Sequence, residues 1–447
     1  MTPQINCMWT NYTWINRTRM NRRPVNLLNR FALGLVLVCC AAGALSPAVR
    51  AAATPACDPN NGGITLPAGF CAFLAADNLG EARHLAVAPN GDVYVGLMNG
   101  GVAALRDTNG DGRFEMKEKF GSASVTGIEL RNGYLYIATP NMVQRYKMTP
   151  GQLKPAGEPE IVVKDLPGVQ QHGDKGIAFD GKGSLYVNVG APSNACQTKD
   201  RRAGVPGQDP CPILNEHGGI WKFDENKLGQ TQKDGLRFAT GMRQMPAIAW
   251  HEGALYIAMN NRDSLDTLWP GKFTAQENAE RPAEPLYRAV AGSNFGWPYC
   301  FYDYGQKKFF LNPEYGGDGK TVGRCTEFTP PVAAFPAHWA PVDLMFYSGT
   351  QFPAKYRGGA FIAFHGSWNR APLPQAGYNV TFQPFAGGKP SGNFEVLASG
   401  FPGKMPLMNP SDAVARPDGV AQAPDGSLYI GDSEKGKIWR VLYRGGK

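Results

Sequence analysis

One short pattern recurs six times along the chain: glycine, any residue, an apolar residue, an aromatic, then valine or isoleucine. The copies are GDVYV (Gly91–Val95), GYLYI (Gly133–Ile137), GSLYV (Gly183–Val187), GALYI (Gly253–Ile257), GGAFI (Gly358–Ile362) and GSLYI (Gly426–Ile430). Ahead of each stands a second apolar triplet: LAV, IEL, IAF, IAW, LMF and VAQ in turn. A turn such as APNG, FDGKG or APDG lies between the two. Four copies are followed by a third run of similar type, VAALR, MVQRY, IWKF and IWRVL. Period-two alternation in such short runs reads as strands. A unit of this size cannot bury its own face, so six of them must stack on one another. The expected fold is all-β, a six-bladed β-propeller. In it the repeated aromatic packs between neighbouring blades. The extra run GFCAFLA (Gly69–Ala75) joins the last blade as its outer strand and closes the ring, which removes a free edge.

The ends of the chain are of another kind. Residues 1–53 hold six arginines and no Lys, Asp or Glu, then an apolar run FALGLVLVCCAAGAL and the small-residue stretch PAVRAAA. This is the composition of a secretory signal, so 1–53 is expected to be removed and 54–447 to form one propeller domain. The apolar run is short for a membrane span. The net charge of +8 falls to +2 without that leader, which removes the support for a nucleic-acid partner or a stable membrane attachment. Six of the nine cysteines remain: Cys57, Cys71, Cys196, Cys211, Cys300 and Cys325. An even number in an exported chain reads as disulfides, with fifteen pairings open. They are expected to pin the long loops of blades three and four, in a periplasmic or secreted protein.

In a propeller the first strand of each blade lines the central channel, and these strands all begin at one rim. Counting back from the aligned apolar residue of each gives His172 before Ile177, Arg243 before Ile248, Trp339 before Leu344 and Arg416 before Val420, with Arg83 and His84 in blade one. Asp174 and Lys175 follow His172, and Asp418 stands beside the last inner strand. A ring of Arg, His, Asp and Trp around one axis is expected to form a site. His338 borders the same rim, whereas Trp297 packs a loop.

Five stretches, HGDKGIAFDGKGSLYVNVG, ATGMRQMPAIAWHEGALYIAMNNRD, GSNFGWPYC, AFIAFHGSWNR and RPDGVAQAPDGSLYIGD, taken in this order resemble the glucose/sorbosone dehydrogenases. That family consists of six-bladed propellers using pyrroloquinoline quinone (PQQ), and the likeness runs from about Gly69 to Tyr443. The resemblance implies an oxidoreductase acting on a sugar, polyol or sugar aldehyde, with an unidentified electron acceptor. His172 would be the general base, a neutral imidazole near its unperturbed pKa. Arg243 would face the quinone carbonyl oxygens. Gln244 stands where the family has Asn, and Arg416 would pair with a cofactor carboxylate. Lys175 and Asp418 complete the cofactor contacts, with His365 or Arg370 in place of a lysine the family supplies from blade five. For the Ca2+ that such enzymes hold beside the quinone, Asn261 and Asp263 are the candidates, since a His-Gly-Pro segment is replaced by NNRDSLD. Two other readings stand beside this one. A calcium-dependent lactonase would share the fold, and a binding propeller would have lost the quinone site.

A separate metal motif is DTNGDGRFEMKE (Asp107–Glu118). Asp107, Asn109 and Asp111 take the first, third and fifth positions of a calcium loop and Gly112 the sharp turn. Arg113 gives its backbone carbonyl, Glu115 the ninth position, and Glu118 the bidentate twelfth. It lies between strands, so a structural Ca2+ clamp is expected.

Overall fold

The structure, a computed structural model, describes residues 55–445; the signal expected over 1–53 lies outside them. Six four-stranded antiparallel sheets follow one another along the chain. Their inner strands are Ala82–Val87, Gly127–Arg131, Ile177–Phe179, Gln244–His251, Pro341–Phe346 and Pro417–Gln422. Each inner strand touches the next, and the last touches the first, which makes a closed ring of blades. Phe70–Ala76 lies on the outside of the sixth sheet, antiparallel to Ile438–Tyr443, as the closing strand. A short parallel strand, Ser293–Asn294, widens blade three.

All six repeats fall on the second strands, and their chemistry explains why. The motif glycine has φ between 74° and 99° in every copy, a left-handed turn that a Cβ would strain. The aromatic that follows is buried every time. Tyr94 packs with Ile128 and Leu135 of blade two, and Tyr136 with Leu185 and Val187 of blade three. The series goes round to Tyr429, which meets Val93 and Val95 of blade one. A buried tyrosine or phenylalanine side chain removes 150–250 Å² of surface from water. The inter-blade seams thus carry most of the apolar burial.

The disulfides join sequence neighbours: Cys57–Cys71, Cys196–Cys211 and Cys300–Cys325. The second lies in the loop between the second and third strands of blade three and packs on Trp297. That indole also donates to the Asn194 carbonyl at 2.9 Å, so Trp297 is a loop anchor. The third spans the connection between the last two strands of blade four.

Four inner strands are irregular near their beginnings, with register shifts at Ala82/Leu85, Gln244/Ala247, Pro341/Asp343 and Pro417/Val420. A bulge breaks strict alternation and re-aims side chains, and bulges concentrate beside active sites. Here all four sit at the same rim.

Candidate active site

The bulged rim opens into a cavity of about 450 Å³ on the propeller axis, walled by Arg83, Asp174, Gln244, Asn260, His365 and Trp368 among others. That volume suits a small organic ligand. A second axial chamber, of about 340 Å³, lies at the other end of the inner strands, where His84, Glu129 and Asp343 face it. His84 belongs to that chamber: its Nε2 donates to the Val342 carbonyl at 2.8 Å.

Behind the wall residue Gln244, and not among the wall residues themselves, the main chain of Ala191 joins two blades. His172 Nδ1 lies 2.6 Å from the Ala191 carbonyl, and the Ala191 N–H donates to the Arg243 carbonyl at 2.8 Å. An imidazole whose Nδ1–H is donated to a carbonyl keeps its lone pair on Nε2. Burial, followed by the nearby Arg243 guanidinium, lowers the His172 pKa to about 3, well away from its unperturbed value. The ring is therefore neutral at every ordinary pH. Arg243, also buried, donates from Nη2 to Asp263 at 2.9 Å, while its Nε has no partner among the described residues. Burial alone would raise the Asp263 pKa, but Arg243 and Arg201 hold it well below the usual carboxylate range.

Gly190 permits this approach. A Cβ there would stand 2.2 Å from the His172 carbonyl oxygen and 2.7 Å from Gln244 Oε1. Gly190→Ala is expected to cost about 1–3 kcal/mol through overpacking and to displace His172 and Gln244 together. Thermal melts and turnover on the same preparation check this; unchanged values in both would remove the close-approach argument.

The opposite side is built on blades five and six. Arg416 is 1% exposed, with Nε and Nη2 donating to the carbonyls of His365 and Gly366 and Nη1 without a partner among the described residues. The Trp368 indole lies flat over it, 3.6 Å from guanidinium carbon to ring centroid, and is itself 57% exposed at the cavity mouth. His365 lines the cavity, its Nε2 2.9 Å from Ser433 Oγ. Gln244 Oε1 is a further buried atom without a partner among the described residues. Nothing in the alignment of inner strands pointed to Trp368, since it sits on a second-to-third-strand loop; its only trace was the segment HGSWNR.

The structure corrects several expectations. Lys175 is fully buried and turned away from the cavity, its Nζ 2.9 Å from the Gly173 carbonyl. Asp418 does not meet the cavity either; it is buried and accepts from Arg83 Nη1 at 2.6 Å. Asn261 spends its side chain on the Ala283 carbonyl and the Arg262 N–H. Asp263 lies between two guanidiniums, and its carbonyl accepts from Asn194. The Asn261 side chain is thus already spent, and at Asp263 a divalent ion would meet two positive charges, so neither side chain suits a cation. Trp339 is half-buried and packs against the core, between Phe364 and Phe394. His338 is buried against the Asn278 carbonyl, not on the wall. In the calcium-type loop Glu118 is on the strand Met116–Phe120 and pairs with Lys154 at 2.6 Å. Glu115 takes its place, with ligand atoms of Asp107, Asp111 and Glu115 all within 4.8 Å of one another. The Arg113 side chain reaches Asp58.

Known proteins share the propeller fold. A family model described as TrAA12-like matches residues 64–444. A Borreliella burgdorferi protein described as uncharacterized is 27% identical over 278 residues, which is 61% of this chain and 61% of that protein. A pyrroloquinoline quinone-dependent pyranose dehydrogenase of Coprinopsis cinerea is 27% identical over 194 residues, 40% of this chain and 23% of that protein. The alignments thus span less than two-thirds of either relative. The PQQ domain of the Coprinopsis cinerea pyranose dehydrogenase, in its holo form, superposes with a TM-score of 0.68 at 18% identity, over 88% of this chain and 98% of that one. A Trichoderma reesei protein of Carbohydrate-Active Enzymes family AA12 gives 0.70 at 18% identity, over 85% and 98%. At such identities the structures establish the propeller fold.

Proposed function

The chain belongs to the TrAA12-like family, and from that premise we propose that it is a PQQ-dependent oxidoreductase of sugars or related polyols and sugar aldehydes. The observation that supports this most is a set of buried polar atoms without partners among the described residues at this rim: Gln244 Oε1 on the cavity wall, Arg243 Nε on the residue before it, and Arg416 Nη1 behind the wall residue His365. Buried donors and acceptors are rarely left unmet, so such atoms mark where a polar ligand belongs. A quinone held there by Arg243, Gln244 and Arg416 would supply the two-electron, hydride-accepting chemistry that such an oxidation requires.

The chain's own residues then have separate tasks. His172 Nε2 accepts the proton of the substrate hydroxyl, because Nδ1 is committed to Ala191. Arg243 offers an N–H to an oxygen on which negative charge builds. Gln244 orients a polar group against the wall. Arg416 offers a carboxylate its Nη1, the nitrogen not spent on the His365 and Gly366 carbonyls, and Trp368 covers it from solvent. Asn261 and Asp263 do not fit a cofactor calcium ion, and no role is given to one. The lactonase reading needs carboxylates gathered on the axis around a cation. Asp174 and Asp418 are there, but they grip the Arg83 guanidinium between them.

The Asp107–Glu115 loop is proposed to hold a structural Ca2+. Millimolar Ca2+ should raise the melting temperature of the wild type and leave Asp107→Ala unmoved, as differential scanning fluorimetry would show. The disulfides support export to an oxidising compartment. The activity is tested by producing the full chain in such a compartment and titrating it with PQQ, with and without Ca2+. Quinone absorbance reports binding, and dye reduction with aldoses, polyols and sorbosone reports turnover. Saturable binding with substrate-dependent reduction is expected. Absence of binding by folded, disulfide-bonded protein would sink the proposal.

A further inference from the structure

Arg83 is, among the described residues, the only cationic side chain on the cavity wall, and both of its terminal nitrogens are engaged. Its Nη1 donates to Asp418 of blade six at 2.6 Å and its Nη2 to Asp174, which precedes blade three. Blade one adjoins blades six and two, so the reach to Asp174 crosses the channel mouth. Asp174 has no other side-chain partner among the described residues.

Asp174 belongs to the segment that carries the proposed base. Residues 164–176 run without a strand from Glu160–Val163 to Ile177–Phe179, with main-chain bonds to other segments only at Lys164, Leu166 and Gly176, so side chains hold the stretch around His172. His172 adopts a φ of 60°. On the blade side the segment is tied by Lys175 N–H to Thr126 Oγ1 at 2.9 Å, by Lys175 Nζ to the Gly173 carbonyl, and by Asn188 Nδ2 to the Asp174 carbonyl at 2.9 Å. His172 itself is held through Ala191. On the axis side there is Arg83 alone.

We infer that Arg83, braced by Asp418, is a positioning residue: it grips Asp174 and so fixes the His172 loop from the side facing the cavity. This rests on the function proposed above in taking His172 as the base. The bridge between blades one, three and six also sets the distance between the two walls of the cavity. Asp418 is buried, and burial raises its pKa against the pull of Arg83.

The test removes both charges together, Arg83→Gln with Asp418→Asn, so that no buried carboxylate is left without its cation. In the full chain loaded with PQQ, kcat should fall at least about tenfold, since small misplacements of a reacting group cost that much or more. KM should stay within about threefold, as for an interaction absent from substrate binding. With His172→Gln already present, the same pair should cause no further fall. Arg83→Lys should recover part of the loss. A second readout needs no turnover: in ¹⁵N-histidine-labelled protein the ring signals of His172 should move or broaden in the double variant. Those of His251, stacked on Phe346 in the other chamber, should not. An equal fall in both backgrounds, or unmoved His172 signals, overturns the inference. If the wild type oxidises no sugar, the function proposed above fails, and the histidine signals still decide the role of Arg83.

Discussion

Replacing His172 with glutamine is expected to lower kcat by about 10²- to 10⁴-fold, the usual contribution of a positioned general base. Glutamine keeps an amide N–H for the Ala191 carbonyl and loses only the basic nitrogen. The fold should survive, because the loop remains tied by Lys175 and Asp174. The pH dependence adds a second check. Folded His172 takes up its proton only near pH 3, so no histidine limb should appear in kcat between about pH 5 and 8. Stability moves the other way from a paired histidine. The unfolded chain binds this proton near pH 6.5 and the folded chain does not, so stability present above that value is lost as pH falls from about 6.5 toward 3. His172→Gln should flatten that part of the acid denaturation curve. A variant with wild-type turnover, or a wild-type rate profile bending near pH 6.5, would remove His172 from the role.

The ring of blades was legible because it depends on local, repeated chemistry. A glycine forced to positive φ and an aromatic three residues later recur in each copy, and both were visible as letters. The rim was legible for a related reason: residues at equal distances ahead of six equivalent strands must gather at one end. Counting from strand registers fails where strands are irregular. Bulges at Ala82/Leu85 and Pro417/Val420 separate Arg83 from His84 and turn Asp418 inward toward Arg83, not toward the cavity. Trp339 was placed on the rim by the same count. It packs instead, half-buried, against the core between Phe364 and Phe394, whose rings offer it an apolar contact. Lys175 was misplaced because its partners are backbone carbonyls of its own loop, which no side-chain pattern reveals. The Asp107 loop shows the same limit. The letters fit twelve calcium-loop positions, but the last residues join a strand that takes Glu118 away.

Arg243→Met should reduce kcat/KM by about 10²- to 10³-fold, as expected for loss of a donor aimed at developing charge. The argument turns on what the substitution leaves behind. Asp263 keeps Arg201, whose Nη1 lies 2.5 Å away, and its N–H still bonds to Asn194, so no carboxylate is stranded. The Arg243 carbonyl continues to accept from Ala191, because that contact is main chain. Arg243→Lys is the sharper variant. It keeps a positive charge near Asp263 but has no planar fork, so its melting temperature should stay near wild type while turnover remains reduced. Asp263→Ala is the contrast. It removes the shared counter-charge of two guanidiniums, one of them buried, and should cost about 3–5 kcal/mol of stability along with activity. Melting curves beside dye-linked kinetics separate the cases: activity lost without stability for Arg243→Met, both lost for Asp263→Ala. If Arg243→Met kept kcat/KM within about threefold of wild type, its guanidinium would be a prop for Asp263 and the charge-stabilising role would pass to another donor on the wall.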